Sequence, residues 1–243
     1  MDIYKKVGLI LSRYRSGKLP KAFKVIPSLK NWSDILALTA PENWTPNATY
    51  QAVRLFISLL PPSQAETFVK DILYPKISKD LEESKELNVH LYNSMKKAIY
   101  RPGAFYKGLV IPLFRDKSLT LKRASVIASI LTKCTIPVLP SSAAIMIMSK
   151  SRFTGPRAII MKALIEKNYS FPMKVLDELA VLISRVEKEA CGVIYFQTLL
   201  SLVAKYYPSM SKSSQALISQ VVSTRIHPEI TPEIQSKISN FMQ

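Results

Sequence analysis

Glycine is scarce, with six residues in a chain of 243. No two glycines stand in a G-x-G pattern, and Ser16-Gly17-Lys18 lacks both the upstream glycine and the following hydroxyl of a phosphate loop. The sequence therefore offers no nucleotide-cradling turn, nor the Gly-rich strand-to-helix turn that would hold a methyltransferase cofactor. Cysteine and histidine are scarcer still, at two each. Cys134 and Cys191 fall in apolar, helix-like stretches, where a thiol behaves as a small buried hydrophobe and a reducing compartment fits. With His90 and His227 they give no spacing suited to zinc or an iron–sulfur cluster, so no metal and no cofactor are expected. No residue is assigned a catalytic role. His90, beside Leu91 and Tyr92, reads as a packed or capping residue, and Ser141 and Ser142, which follow Pro140, read as helix-start caps.

Acid is short as well: 17 Asp and Glu against 34 Lys and Arg leave a formal charge of +17. An excess of this size repels itself in the folded chain, and its usual physical use is attraction to a polyanion, nucleic acid before an anionic membrane. An unbroken apolar run is also lacking. Ala124 to Met148 carries one charge, Lys133, and matches the roughly 20 residues of a membrane span, but Pro137 and Pro140 interrupt it. Two core helices joined by a Pro turn, and no membrane, are the expectation. Met1 to Ser16 carries Asp2, Lys5, Lys6, Arg13 and Arg15, which is wrong for a secretory leader.

What is present is apolar helix-forming sequence: 48% of the chain is hydrophobic, which with so little glycine favours all-α structure. Ile3, Val7, Ile10 and Tyr14 form one helical stripe, with Gly17 as the C′ stop. Short pieces follow over 22–38, with Ser33 as a cap and Trp32 and Trp44 filling gaps. Thr45-Pro46 starts an amphipathic helix that stops at Pro61-Pro62, and Ser63 with Glu66 forms a capping box. Residues 67–100 read as nearly continuous helix bent at Pro75. Further helices are expected near 104–114, 120–134, 141–149, 156–167, 172–185, 193–206, 212–225 and 232–241, the last capped by Thr231. The fold class is an irregular HEAT-like α-solenoid of about a dozen helices in antiparallel pairs, a single domain over 1–243.

Cations gather at helix ends and loops. Arg13, Arg15, Lys18, Lys21 and Lys24 interleave with Tyr14 and Phe23. Lys96, Lys97, Arg101 and Lys107 surround a Pro102-Gly103 turn beside Tyr100, Phe105 and Tyr106. Arg115, Lys117, Lys122 and Arg123 form a third group, and Lys150, Arg152 and Arg157 a looser fourth. Such side chains reach phosphates without leaving the core, while Phe105 and Tyr106 are candidates to stack on bases or guard a partner groove. The candidate RNA- or partner-binding set is Arg13, Arg15, Lys18, Lys21, Lys24, Lys96, Lys97, Arg101, Phe105, Tyr106, Lys107, Lys122, Arg123, Arg152 and Arg157.

Several strings are long and unusual: YRSGKLPKAFK from Tyr14 to Lys24, His90-Leu-Tyr, Lys96-Lys-Ala, RPGAFYKG from Arg101 to Gly108, LTKCTIPVL from Leu131 to Leu139, Ser141-Ser-Ala-Ala, Ser170 to Leu176, and His227-Pro. On these the chain resembles the bystin family of small ribosomal subunit assembly factors. The resemblance implies an α-solenoid without enzyme activity that binds precursor small-subunit rRNA, head and beak ribosomal proteins and other assembly factors. It implies a monomer within a ribonucleoprotein particle of nucleolus and nucleus, passing towards the cytoplasm, with no small-molecule substrate. The chain departs from the family where Pro140 replaces a His, Tyr195-Phe196-Gln197 replaces a Trp-His pair before Gln, and Arg123 stands where an acid is usual. The family's charged N-terminal extension is expected to be absent. A protein-protein adaptor without direct RNA binding is the alternative.

Overall fold

The computed structural model describes residues 2–84, 86–187 and 191–242, and every element in them is helical. Two compact units make up the chain, Met1–Leu113 and Phe114–Gln243.

The first unit holds α1 (Asp2–Ser12), α2 (Lys21–Val25), α3 (Trp32–Ala37), α4 (Pro46–Leu59), α5 (Pro62–Phe68), α6 (Tyr74–Glu83), α7 (Val89–Ala98) and α8 (Pro102–Phe105). Thr45 caps α4 as its sequence predicts, its hydroxyl accepting from the Ala48 N–H at 3.1 Å ahead of Pro46 at the first position. The Ser63–Glu66 capping box does not form. Pro62 already opens α5, so Ser63 lies inside it, and Glu66 instead faces Lys107 at 3.6 Å. Ser33 likewise sits within α3, where Asn31 holds the cap position. The core is aromatic: Phe23 meets Trp44 edge-on at 5.4 Å, and Phe56 stacks on Phe68 at 4.7 Å and lies 6.1 Å from Trp32. Both tryptophans are buried, as expected.

The buried face of α1 is Val7, Gly8 and Leu11, with Tyr14 beyond, whereas Ile3 and Ile10 are 65% and 52% exposed. Gly8 is the reason. A Cβ there would lie 2.5 Å from the Thr39 carbonyl, so the backbone itself makes the contact and turns the expected stripe partly outward. The helix stops at Ser12, and Gly17, at φ +103°, turns the loop beyond it rather than ending the helix.

Residues 67–100 are interrupted by a loop before α7 and by a π segment, Val69–Leu73, between α5 and α6. A second π segment, Tyr106–Val110, links α8 to α9 (Ile111–Arg115). Pro75 and Pro112 each follow a π segment by two residues. Proline in a helix clashes with the carbonyl four residues earlier. Those carbonyls belong to Asp71 and Gly108, within the widened turns, so the π turn replaces the expected kink. The two segments pack together at Gly108, where a Cβ would come within 2.9 Å of Val69 Cγ1 and 3.0 Å of the Glu66 carbonyl.

The second unit holds α10 (Leu121–Lys133), α11 (Val138–Met148), α12 (Gly155–Ile165), α13 (Met173–Ser184), α14 (Val193–Tyr206), α15 (Lys212–Thr224) and α16 (Ile230–Met242). α10 packs on α12, α12 on α14 and α14 on α16, while α11 packs on α13 and α13 on α15. Alternate helices thus form two rows, the arrangement of an α-solenoid. α10 and α11 are the expected pair, although Pro140 sits in the first turn of α11 without breaking it. No helix among the described residues is long and apolar enough to cross a membrane. Ser141 and Ser142 are buried inside α11 rather than capping it. Both cysteines are half-buried, Cys134 at the end of α10 and Cys191 ahead of α14, so neither lies inside a helix. α16 begins before Thr231, whose hydroxyl accepts from the His227 N–H at 2.8 Å. His227 Nδ1 accepts from the Glu229 and Ile230 N–H groups, so His227 does the capping expected of Thr231.

Candidate nucleic-acid interface

The last carbonyls of a helix lack intrahelical partners and carry its negative end, so a cation placed there is stabilising. Among the described residues six cations do this in the same way, each reaching back to a helix end 32 to 44 residues earlier. Lys76 donates to the carbonyls of Glu42, within the 3-10 turn Pro41–Asn43, and of Trp44, which follows it. Arg101 donates to Ile57 and Leu60 at the end of α4, at 3.2 and 3.4 Å. Arg157 reaches Phe114 and Arg115 at 2.8 and 3.3 Å, and Lys167 reaches Leu131 and Cys134 at 2.6 and 2.7 Å. Lys205 donates to the Glu166 carbonyl, and Arg225 to Ile183 and Ser184 at 2.8 and 2.7 Å. These are clips between successive helical repeats. Burial lowers Lys76 to about 8 and moves Lys167 the same way, since each ammonium leaves water for carbonyl dipoles.

The clips sort the candidate cations. Arg101 and Arg157 are committed to carbonyls. Arg123 is 3% exposed and pairs with Asp116 at 3.1 Å, so it cannot reach a phosphate. Phe105 and Tyr106 are 0% and 2% exposed and belong to the core, which removes them as base-stacking platforms. Pro102-Gly103 opens α8 instead of forming an exposed turn. Lys107 faces Glu66, and Arg152 meets Glu187 at 3.8 Å in an exposed pair. Lys96 and Lys97 lie over the Tyr92 and Tyr100 rings at 5.1 and 3.7 Å, and Tyr100 is well exposed. Lys122 is exposed on α10.

The first group is different. Arg13, Arg15, Lys18, Lys21 and Lys24 are all exposed, and none of their side chains makes an ion pair or hydrogen bond among the described residues. Their backbone is nevertheless fixed. Thr45 Oγ1 donates to the Tyr14 carbonyl at 2.7 Å, Asn47 Nδ2 to Arg15, and the Tyr14 hydroxyl to Gly17. Phe23, wholly buried, anchors α2 with Lys21 and Lys24 outward. A rigid loop and a one-turn helix therefore present five uncommitted cations, an arrangement suited to phosphate contacts.

The Bystin family model matches residues 1–243. The chain belongs to the bystin family. Bystin of Bos taurus is 41% identical over 242 residues, which is 99% of this chain and 56% of that protein. Bystin of Homo sapiens is 41% identical over 242 residues, covering 99% and 55%, and that of Monosiga brevicollis 42% over 240 residues, covering 98% and 58%. The chain spans about half the length of these relatives. Arg123 is neutralised by Asp116, and Tyr195 donates its hydroxyl to the Ile183 carbonyl at 3.2 Å while accepting from Arg225 at 2.6 Å. Burial pushes the Tyr195 hydroxyl up to about 12. Sequence reasoning missed Lys76, Lys167, Lys205, Arg225 and the capping role of His227. Nothing local marks the four cations, because each clip joins residues a repeat apart, whereas the His227 cap acts on its own next turn.

Proposed function

We propose that this bystin-family chain is a non-catalytic assembly factor of the small ribosomal subunit. It binds precursor rRNA and ribosomal proteins in pre-ribosomal particles of the nucleolus and nucleus. Its mechanism is occupancy: an RNA segment is held through Arg13, Arg15, Lys18, Lys21 and Lys24, with Lys96 and Lys97 as an accessory pair, and release is driven by other factors. The observation that carries this reading is the pinned loop and one-turn helix whose five exposed cations have no ion pair or hydrogen bond among the described residues. Filter binding of a structured small-subunit rRNA fragment across a salt series tests it. Binding should weaken steeply with salt. Reversing Arg13, Lys18, Lys21 and Lys24 to Glu should lower the log–log slope by about 0.9 for every duplex phosphate no longer neutralised, and by about 0.7 for every single-strand one. An unchanged slope and affinity would overturn the assignment.

A further inference from the structure

The second unit carries a cleft of about 310 Å³ where the loop after α11 meets the residues that follow α13. α11 packs on α13, and residues from both helix ends line the cleft. The volume lies at the lower end of the range of about 300–1,000 Å³ typical of ligand pockets. Its apolar wall is the half-buried Phe153 with the buried Leu182 and Val186. Its rim is charged, with Lys150, Arg152, Arg185 and Glu187 all exposed. Three cations against one carboxylate leave a positive excess. The negative ends of α11 and α13 draw such cations to this place, and their exposure leaves the charged heads free on the solvent side. Arg152 and Glu187 meet at 3.8 Å with side chains 79% and 73% exposed. So exposed a pair contributes little, and Arg152 can turn to a better anion at small cost. Neither the Lys150 nor the Arg185 side chain makes an ion pair or hydrogen bond among the described residues.

We propose that this cleft holds one unpaired nucleotide of a bound RNA strand. The base lies against Phe153, Leu182 and Val186, and the phosphates beside it meet Lys150, Arg185 and, once it leaves Glu187, Arg152. A nucleotide joins a flat, apolar-faced ring to a phosphate in one unit, which matches an aromatic wall rimmed by cations. A paired base cannot enter, because its neighbours in the helix cover its faces, so the cleft selects single-stranded segments. Only the class of polyanion is taken from the RNA reading above, since the cleft shares no residue with the pinned loop and lies in the other unit. Glu187 gives the site a distinctive sign. Among the described residues it is the only carboxylate lining the cleft, so it competes for Arg152 and repels the incoming phosphate. A phosphorylated peptide would find the cations but leave the Phe153 ring unused.

A uridine-rich single-stranded RNA carrying one iodouridine, irradiated with the intact chain and mapped by mass spectrometry, provides the test, because this base cross-links to an aromatic ring on which it stacks. The cross-link should fall on Phe153 and vanish when the strand is annealed to its complement. In fluorescence anisotropy of the same strand, Lys150→Glu combined with Arg185→Glu should weaken binding about tenfold, the equivalent of about 1.4 kcal/mol, with unchanged helical circular dichroism. Phe153→Leu should also weaken it, whereas Phe153→Tyr, which keeps the ring, should not. Glu187→Gln should tighten binding severalfold. A cross-link found only elsewhere, wild-type affinity in the double variant, a Glu187→Gln chain that binds no tighter, or a phosphoserine peptide that outcompetes the RNA for this cleft would overturn the proposal. At saturating protein, Arg13→Glu and Lys21→Glu should leave the Phe153 cross-link in place, so failure of the loop assignment and failure of this site are read separately.

Discussion

Arg225 uses both terminal nitrogens of its planar fork: one serves the Ile183 carbonyl and the Tyr195 hydroxyl, the other the Ser184 carbonyl, while its buried Nε–H has no partner among the described residues. A lysine keeps the charge but not the geometry. Arg225→Lys should lose about 1–3 kcal/mol in urea unfolding, because a part-buried carbonyl is left without its donor. Asp116 gives a pH-dependent counterpart. Burial alone would raise its carboxyl, but the Ser118 N–H and hydroxyl, together with Arg123, hold it below the ordinary value of 3.8. A depressed folded pKa adds stability that is complete above the unfolded value and is lost as pH falls through the folded one. Asp116→Asn strands the buried Arg123 charge and should cost about 3 kcal/mol at neutral pH, the low end for a buried pair because Asp116 is partly exposed. The gap between wild type and variant should narrow in urea midpoints taken below pH 3.8. A gap that stayed constant into acid would assign the loss to packing instead.

At the scale of elements, two glycines mark where backbone meets backbone. Gly8→Ala drives a methyl to 2.5 Å from the Thr39 carbonyl oxygen, which cannot yield, whereas Gly108→Ala meets a Val69 methyl at 2.9 Å and, at 3.0 Å, the Glu66 carbonyl oxygen and Val69 Cβ, a milder overlap. Overpacking of this kind costs about 1–3 kcal/mol, with Gly8→Ala at or above the upper limit and Gly108→Ala below it. Gly103→Ala meets open space and should stay within about 0.5 kcal/mol of wild type by thermal melting. The elements themselves were largely legible. Thr45 and the span of α14 read directly, because a cap hydroxyl before an N1 proline, or an apolar run between polar flanks, decides its own structure. Ser33, Ser63 and Thr231 misled for one shared reason: each lies inside a helix that starts earlier, and capping depends on where the first turn begins. The π segments were illegible, since one additional residue barely disturbs an apolar period. So was the outward turn of Ile3 and Ile10, which depends on the distant Thr39.

For the whole molecule, the charge excess was plain in the composition but its allotment was not. Arg157 and Lys21 are both cations near helix starts, yet one ties two repeats together and the other stands free in solvent. This allows a double comparison: Arg157→Glu should lower the melting temperature, while Lys21→Glu should leave it unchanged and weaken RNA binding. Reversal of Lys96 and Lys97 alone should likewise weaken binding without unfolding, whereas adding Arg101 to that set should destabilise the chain by freeing the Ile57 and Leu60 carbonyls. Circular dichroism melts beside filter binding separate the two classes. The clips also run in one direction, since every donor lies later in the chain than the carbonyls it serves. On a translating ribosome the receiving helix end therefore emerges first, and its stapling cation arrives up to 44 residues afterwards. At about 5–20 residues per second that interval is roughly 2–9 seconds, so each newly made repeat spends a brief unfastened life before its successor locks it.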